Sequence, residues 1–299
     1  MPSLLDKTIA ALLPAVPKPL VRKFSSPYIA GEEFEDAARV SAELRVDGIR
    51  STMDILGEHV SAKEQALAYT EAYLELLQSQ DRLGLDRNVS IKLSMLGLTL
   101  DKDFCLENMK RIMECASSQG TKIRIDMEDS SCTDDTLWIY RTLRADNPDI
   151  GVVLQAYLHR SLDDVKALAD LTPDYRLCKG IYIESPKVAI QDPAEINANF
   201  LKVLAAMWDS GSYVGVATHD EKLIEKVKDL IRAQGLGPER YEFQMLLGVQ
   251  SRLRDNLVAS GHPLRIYIPF GRDWYAYSLR RLKENPAVAG HVLRSMFRG

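Results

Sequence analysis

One predicted helix near the end of the chain carries side chains that could bind a small anion. It follows Gly271, and four of its residues fall at positions i, i+3, i+4 and i+7: Tyr277, Arg280, Arg281 and Glu284. Residues at this spacing share one face of a helix, so a ring, two guanidinium groups and a carboxylate lie together. Such a face can hold an anion, although charges at this spacing more often form ordinary surface ion pairs.

Polar residues also interrupt segments that are otherwise apolar and predicted to be strands. Lys92 lies in SIKLS and Gln155 lies in VVLQAYL. A lysine that points into a protein interior is costly unless an anion or a ligand meets it, and a buried amide needs hydrogen-bond partners. The alternatives are a Lys92 side chain that runs along the outer surface, and a Gln155 that bonds a neighbouring strand.

Three carboxylates follow one another closely at the end of another predicted strand, in RIDMEDS: Asp126, Glu128 and Asp129. Carboxylate oxygens can bind a divalent cation. The five histidines, however, form no H-x-H or H-x-x-x-H pair, and we therefore predict no metal site. Glu128 and Asp129 are then interpreted as loop acids or as a helix cap.

The segments that must position these residues alternate between strand and helix. Eight strands are predicted, at Ile49–Leu56, Val89–Leu96, Lys122–Met127, Gly151–Leu158, Tyr175–Ile183, Tyr213–Ala217, Tyr241–Leu247 and from Leu264 to Pro269. A predicted helix follows each of them, which favours an α/β fold of the (βα)8 TIM-like barrel type in a chain slightly above the usual length of roughly 250 residues. The rival fold, a doubly wound sheet, normally carries G-x-G-x-x-G after its first strand, and the sequence has no such string.

This barrel predicts where the chemistry takes place and how the chain is divided. Active sites of such barrels lie at the carboxyl ends of the strands. Residues 1–46 are predicted to form an N-terminal helical extension, with a helix at Phe34–Val46, and residues 47–299 the catalytic barrel. Its last helix would carry the anion-binding face.

Composition excludes several classes of partner. The formal net charge is -4 and no run of Lys and Arg occurs, so nucleic acid is not expected. No apolar run reaches the roughly 20 residues of a membrane span. The four cysteines form no C-x-x-C pair, which predicts free thiols in a reducing, cytoplasmic compartment.

Taken in order, the strand-end motifs resemble those of the flavin-dependent proline dehydrogenases, the family that includes the proline dehydrogenase domain of bifunctional proline utilization A. The matching strings are SIKLS, the R-x-x-K-G-x-Y of RLCKGIY, the TH of ATHD, EFQMLLG, and the final helix with its paired arginines. The resemblance implies oxidation of L-proline to 1-pyrroline-5-carboxylate, with a hydride passing from C5 of proline to N5 of FAD.

The resemblance also implies roles for individual residues. Lys92, Arg280 and Arg281 would bind the substrate carboxylate, Leu246, Tyr267 and Tyr277 would enclose the ring, and Glu284 would orient the arginines. The catalytic residues that it implies are Lys92, Asp126, Arg176, Tyr267, Tyr277, Arg280, Arg281 and Glu284.

A second set of residues is implied to bind the cofactor: Asp126, Gln155, Arg176, Lys179, Gly180, Ile181, Tyr182, Thr218, His219, Asp220 and Gln244. Two of them depart from the family pattern, since Ile181 stands where many members have a smaller residue and Asp220 replaces an asparagine. FAD is expected to be non-covalent, because no histidine or cysteine lies in a recognised attachment context.

The expected electron acceptor is a quinone, reached from the cytoplasm or at the inner face of the cell membrane. Two other functions stay open at this stage. Lys92 or Lys179 could be the nucleophile of a Schiff-base aldolase. The barrel could also be a non-catalytic anion-binding protein.

Overall fold

Eight parallel strands close into a barrel in which each strand pairs with its neighbours in sequence and β1 pairs with β8. The computed structural model of the protein describes residues 17–57 and 60–284, the last five of them by their backbone alone. The strands are β1 Arg50–Ile55, β2 Asn88–Ile91, β3 Lys122–Ile125, β4 Ile150–Gln155, β5 Asp174–Cys178, β6 Tyr213–Ala217, β7 Tyr241–Leu246 and β8 Leu264–Phe270. The predicted α/β barrel is confirmed.

Helices surround the barrel and connect its strands. Their bounds are α1 Lys18–Ser25, α2 Phe34–Val46, α3 Lys63–Leu83, α4 Lys102–Gln119, α5 Thr133–Arg144, α6 Ser161–Leu168, α7 Pro193–Asp209, α8 Glu221–Gln234, α9 Ser251–Ala259 and α10 Trp274–Glu284. Short 3-10 turns lie at Ser26–Tyr28, Leu93–Leu96, Ser130–Cys132 and Ala169–Leu171. None of the helices described is long and apolar enough to cross a membrane.

The apolar core lies between the sheet and the helices rather than inside the barrel. Val89 and Ile91 on β2 are fully buried against that shell. Their neighbours Ser90 and Lys92 point the opposite way, because successive side chains alternate across a strand. Ser90 receives a hydrogen bond of 3.0 Å from Arg176 on β5, which places both inside the barrel. Barrel interiors are usually filled with branched apolar residues, and this one holds charges instead.

Several predicted strand ends were wrong, among them those at Leu158 and Met127, where the strands end at Gln155 and Ile125. Three other ends have a clear local cause. The strand predicted at Val89–Leu96 ends at Ile91, because the apolar run Leu93–Leu96 forms a 3-10 turn that ends at Gly97, whose φ is 95°. The strand predicted at Tyr175–Ile183 ends at Cys178, shortly before Gly180, whose φ is 110°.

At the third of these ends, β8 continues one residue past Pro269 to Phe270. Proline has no amide hydrogen to donate to the sheet. Its carbonyl instead accepts the amide of Ala30 at 3.0 Å.

The four cysteines all lie among the described residues and are free thiols, as predicted. Burial raises the pKa of Cys178 to about 11 and that of Cys132 to about 11 as well. These thiols are therefore protonated near neutral pH, and they behave as small apolar side chains rather than as nucleophiles.

Candidate active site

Four side chains meet inside the barrel at the carboxyl ends of β1, β2, β3 and β8, and we name them the carboxyl-end cluster: Asp54, Lys92, Asp126 and Tyr267. The ammonium of Lys92 lies 2.7 Å from Asp54 Oδ1, 3.1 Å from the Tyr267 hydroxyl and 3.4 Å from Asp126 Oδ2. The Tyr267 hydroxyl donates to Asp126 at 2.8 Å. Lys92 therefore points inward, as the anion-binding interpretation requires.

The charges of this cluster fix its protonation. Burial alone would lower the pKa of Lys92, but the carboxylates of Asp54 and Asp126 raise it above its ordinary value. Burial raises the pKa of Tyr267 well above its ordinary value, and the nearby Asp126 and Asp54 raise it further. Near neutral pH the cluster thus contains a protonated ammonium and a neutral phenol.

Asp54 is the most deeply buried member of the cluster, with 1% of its side chain exposed. Burial raises the pKa of its carboxyl group, and the ammonium of Lys92 opposes that rise. Asp54 Oδ2 has no hydrogen-bond partner among the described residues. Asp54 is thus held in place mainly through its contact with Lys92.

Arg176 on β5 connects this cluster to the centre of the barrel. Its guanidinium donates to Asp126 at 2.6 Å, to Ser90 at 3.0 Å and to Gln244 at 2.5 Å. The guanidinium carbon also lies 5.3 Å from the centre of the Tyr267 ring, within cation–π range. Arg176 is buried, and its charge is balanced by Asp126.

Gln244 bridges Arg176 to a second set of charges. Its amide nitrogen donates to Glu242 at 2.7 Å, so both polar ends of the side chain are used within the protein. A side chain at Gly215 on the neighbouring strand would lie 2.4 Å from this nitrogen. The glycine therefore leaves the space that Gln244 occupies.

The second set lies at the opposite end of the barrel, and we name it the amino-end cluster: Arg50, Arg124, Asp174, Glu242 and Arg265. Arg265 donates to Glu242 at 2.6 Å, and Arg124 pairs with Asp174 at 2.6 Å. Burial alone would raise the pKa of Glu242, but the guanidinium of Arg265 holds it below its ordinary value. Glu242 is thus held in its charged form by Arg265, and Arg50 lies 3.6 Å from its other oxygen.

Gln155 provides an acceptor at the carboxyl end of β4. Its amide nitrogen donates to the carbonyls of Met127 at 3.2 Å and Glu128 at 3.1 Å, which fixes the orientation of the amide. Its Oε1 is buried and has no hydrogen-bond partner among the described residues. A buried acceptor of this kind suits a ligand with an N–H group.

Lys179 and Asp220 form an ion pair of 2.7 Å beyond β5 and β6. Asp220 also accepts the side-chain amide of Asn197 at 3.1 Å, and it caps α8 by accepting the amide of Leu223 at 3.1 Å. Burial alone would raise the pKa of Asp220, but the bonds from Lys179 and Leu223 lower it to about 2. The residue that departs from the family pattern is therefore a charged partner for Lys179.

Gly180 is required by a close approach of side chains. At this position a side chain would lie 2.1 Å from the ring of Tyr157, and φ is 110°. The absence of a side chain at Gly180 thus makes room for the ring of Tyr157. The next residues form a loop in which Ile181 and Ile183 are exposed and Tyr182 is half-buried.

The end of β6 contacts the end of β7 through a histidine. His219 Nε2 accepts the amide hydrogen of Leu246 at 2.9 Å, so this nitrogen carries no proton. Thr218 is buried, and its hydroxyl accepts the amide of Asp220 at 3.2 Å. These contacts fix the half-buried Leu246 relative to the turn that begins with Thr218.

The three carboxylates after β3 have separate partners. Glu128 is buried and accepts both the amide of Ser94, at 2.9 Å, and its hydroxyl. Asp129 accepts the amide of Ser131 at 3.0 Å and caps the short turn that follows, as predicted. Among the described residues no group of histidine, cysteine and acidic side chains is arranged to hold a metal ion.

The structure describes only part of the predicted helix face. Tyr277 is buried, with 7% exposed. The side chains of Arg280, Arg281 and Glu284 lie outside the described residues, although α10 extends through all three positions.

Sequence reasoning missed three contributors to these clusters, Asp54, Ser90 and Glu242. Each of them interrupts or borders an apolar strand segment, in TMDIL, VSI and YEF. A polar residue in an otherwise apolar strand is also the pattern by which Lys92 was identified. Alternation could have found two of them, because Ser90 lies two residues before Lys92 and Glu242 lies two residues before Gln244, on the same strand face.

A sequence model of one protein family, described as proline dehydrogenase, matches residues 37–294 of the chain. The chain is 39% identical to proline dehydrogenase of Deinococcus radiodurans, over 91% of this chain and 89% of that protein. It is 36% identical to proline dehydrogenase 2 of Bacillus subtilis, over 90% and 88% of the two chains.

Among solved structures, the fold is similar to the crystal structure of proline utilization A from Bdellovibrio bacteriovorus inactivated by N-propargylglycine. The TM-score is 0.82 at 25% identity, and the match covers 88% of this chain. It covers only 33% of that chain, so the present sequence spans about a third of its length.

Proposed function

The chain belongs to the proline dehydrogenase family, and we propose that its carboxyl-end cluster is where it oxidises L-proline to 1-pyrroline-5-carboxylate. The observation that carries this proposal is the protonated ammonium of Lys92, fixed by Asp54, Asp126 and Tyr267. A positive charge fixed in a buried site favours a carboxylate ligand.

The substrate would be held by groups from three parts of the fold. Lys92 binds its carboxylate together with Arg280 and Arg281 from α10, and Glu284 orients those arginines. Leu246, Tyr267 and Tyr277 enclose the ring. The neutral phenol of Tyr267 donates to Asp126, so it orients the site and does not act as a base.

The family implies a flavin, and we propose non-covalent FAD at the same end of the barrel. A bound flavin would supply the acceptor for the hydride that leaves C5 of the substrate. The fixed amide of Gln155 fits such a group, because its buried oxygen can accept an N–H from the edge of the ring system. Thr218 and His219 follow β6 and Leu246 ends β7, so all three lie at the same end of the barrel as Gln155.

The remaining cofactor residues would act around this position. Arg176 holds a fixed positive charge over Tyr267, next to Asp126, and Gln244 keeps Arg176 in place. The ion pair of Lys179 and Asp220 lies at the start of the loop that contains Gly180, Ile181 and Tyr182. Asp220 binds Lys179 through charge, a contact for which an asparagine has no equivalent.

The Schiff-base aldolase is not favoured. Its nucleophile must be a neutral amine, whereas two carboxylates hold Lys92 in its protonated form. Lys179 is paired with Asp220 at 2.7 Å. Both candidate lysines thus have carboxylates as close partners.

We further propose a quinone as the electron acceptor, encountered in the cytoplasm or at the inner face of the cell membrane. The exposed side chains of Ile181 and Ile183, in the loop after β5, support this acceptor. They offer an apolar surface next to the predicted cofactor residues to a partner that is itself apolar.

The test is anaerobic reduction of the purified protein by L-proline. We expect a yellow protein whose flavin colour bleaches with proline and appears in the supernatant after acid precipitation. Colour that stays in the pellet would contradict non-covalent binding. A colourless protein, or one that borohydride traps with a carbonyl substrate, would contradict the proposed function.

A further inference from the structure

We propose that Glu32 is a positioning residue for proline binding, because it fixes α10 against the N-terminal helix α1. The inference rests on the proposed function, in which α10 carries Tyr277, Arg280 and Arg281. It gives the N-terminal extension a role in the reaction, although the extension contributes none of the predicted site residues.

A single carboxylate oxygen joins the two helices. Glu32 Oε1 accepts the indole N–H of Trp274, the first residue of α10, at 3.1 Å. The same oxygen pairs with the guanidinium of Arg22, on α1, at 3.0 Å. Removing the charge of Glu32 therefore weakens two contacts at once, one to each helix.

Cation–π contacts join the same two helices directly. The guanidinium carbon of Arg22 lies 5.7 Å from the centre of the Trp274 ring, and the ammonium of Lys18 lies 5.3 Å from that of Tyr275. The two rings meet edge to face at 5.8 Å. Arg22 thus contacts both Glu32 and the ring whose N–H Glu32 accepts, which makes the three groups one cooperative unit.

The segment that carries Glu32 is itself fixed to the barrel. The amide of Ala30 donates to the carbonyl of Pro269 at 3.0 Å, and the amide of Gly271 donates to the carbonyl of Gly31 at 3.0 Å. Glu32 therefore has a defined place relative to the end of β8, a few residues before α10 begins. From there it can set the position and tilt of the helix.

The side chain of Glu32 is less exposed to solvent than that of Glu33, the next residue in the sequence. The side chain of Glu32 is 33% exposed and that of Arg22 is 63% exposed, whereas Glu33 and its partner Arg272 are 56% and 78% exposed. Glu32 also accepts the indole N–H of the half-buried Trp274. Exposed pairs contribute little. Of these two adjacent acids, Glu32 is therefore the one expected to position the helix.

A small displacement of α10 would move the substrate-binding residues that this helix contains. Tyr277 lies three residues after Trp274 and is buried, and both arginines follow within the next turn. A helix moves as a unit, so a shift at its first residue is transmitted to all three. Positions of substrate-binding groups off by about 1 Å are enough to weaken catalysis.

The experiment measures proline kinetics and amide hydrogen exchange in the FAD-loaded protein. For Glu32→Gln we expect the KM for proline to rise roughly three- to tenfold, with kcat within about twofold and FAD content unchanged. Exchange should become faster in the peptide that covers residues 274–284. Glu32→Asp, which keeps the charge, should recover part of the KM.

Glu43→Gln is the matched control, because it removes an exposed i,i+4 pair with Arg39 on the adjacent helix α2. It should leave both KM and exchange at wild-type values. Arg22→Gln and the double variant with Glu32→Gln complete a cycle, in which the two effects should be less than additive.

Unchanged KM and unchanged exchange in Glu32→Gln, or an equal effect of Glu43→Gln, would overturn the inference. If Glu32→Gln failed to fold, Trp274→Phe would decide, since it keeps a ring and removes only the N–H donor. Wild-type protein inactive toward proline would contradict the proposed function instead, and amide exchange would still test the contact between the helices.

Discussion

At the amino end of the barrel, Glu242 receives hydrogen bonds from Arg265 and Gln244, and Arg124 pairs with Asp174. At the carboxyl end, the ammonium of Lys92 is shared among Asp54, Asp126 and Tyr267. Both clusters bury charges, and Arg176 and Gln244 connect them through the barrel interior.

The pKa directions distinguish the two ends. At the amino end, Arg265 outweighs burial and holds the pKa of Glu242 below its ordinary value. At the carboxyl end, burial outweighs Lys92 and raises the pKa of Asp54, one of whose oxygens has no hydrogen-bond partner among the described residues. Glu242 Oε2 likewise has no hydrogen-bond partner among the described residues, although a guanidinium nitrogen of Arg50 lies 3.6 Å from it. The two ends therefore differ in charge balance: two arginines pair with Glu242, whereas Asp54 pairs with the ammonium of Lys92, which it shares with Asp126.

The largest effect on stability is expected from Glu242→Gln. It leaves Arg265 buried without its counter-charge, a change that costs roughly 3 to 5 kcal/mol in the free energy of unfolding. Chemical denaturation of the variant measures this cost. A loss below about 1 kcal/mol would show that the amino-end cluster does not stabilise the barrel in the way described.

The next effect is expected from Lys92→Met, at the other end. It removes a charge-assisted contact to the substrate carboxylate, which is worth roughly 1.5 to 3 kcal/mol, or about 10- to 150-fold in kcat/KM. Steady-state kinetics with proline measures the change. Lys122→Met is the matched control, because Lys122 also pairs with an aspartate, Asp174 at 3.5 Å, but at the amino end.

Lys122→Met should retain the kcat/KM of the wild type. If Lys92→Met and Lys122→Met lost activity equally, the claim that only the carboxyl-end cluster binds the substrate would be wrong.

The smallest effect is expected from Asp220→Asn, which keeps the cap of α8 but removes the charge that meets Lys179. The pKa of Asp220 is about 2 in the folded protein, below the ordinary carboxyl value of about 3.9. The charged form therefore stabilises the folded state, fully above about pH 4 and less as the pH falls through about 2.

Denaturation curves across this range test the prediction. Wild type should exceed Asp220→Asn by about 1 kcal/mol near neutral pH, and the two should converge in acid. A difference independent of pH would show that the carboxylate charge is not responsible.

Much of the fold could be predicted from the sequence, because alternation and length mark buried strands whatever their partners. The helices Phe34–Val46 and Glu221–Gln234 have the predicted bounds. Strand ends were less certain, since an apolar run such as Leu93–Leu96 fits a strand and a tight turn equally well.

The site was predicted in part. Lys92 was identified because a lysine in an apolar strand needs a partner, but the sequence did not show that Asp54 and Asp126 are those partners. Asp54 contacts Lys92 from a different strand, 38 residues earlier. Such pairing depends on the closure of the barrel, which no local pattern contains.

The most direct test of the central claim is single-turnover reduction of the bound flavin by proline, compared between Lys92→Met and Glu242→Gln without oxygen. We predict that folded Glu242→Gln is reduced at close to the wild-type rate, whereas Lys92→Met is reduced far more slowly at the same proline concentration. Equal rates in Lys92→Met and wild type, or a slower reduction in Glu242→Gln than in Lys92→Met, would contradict the assignment of the carboxyl-end cluster as the active site.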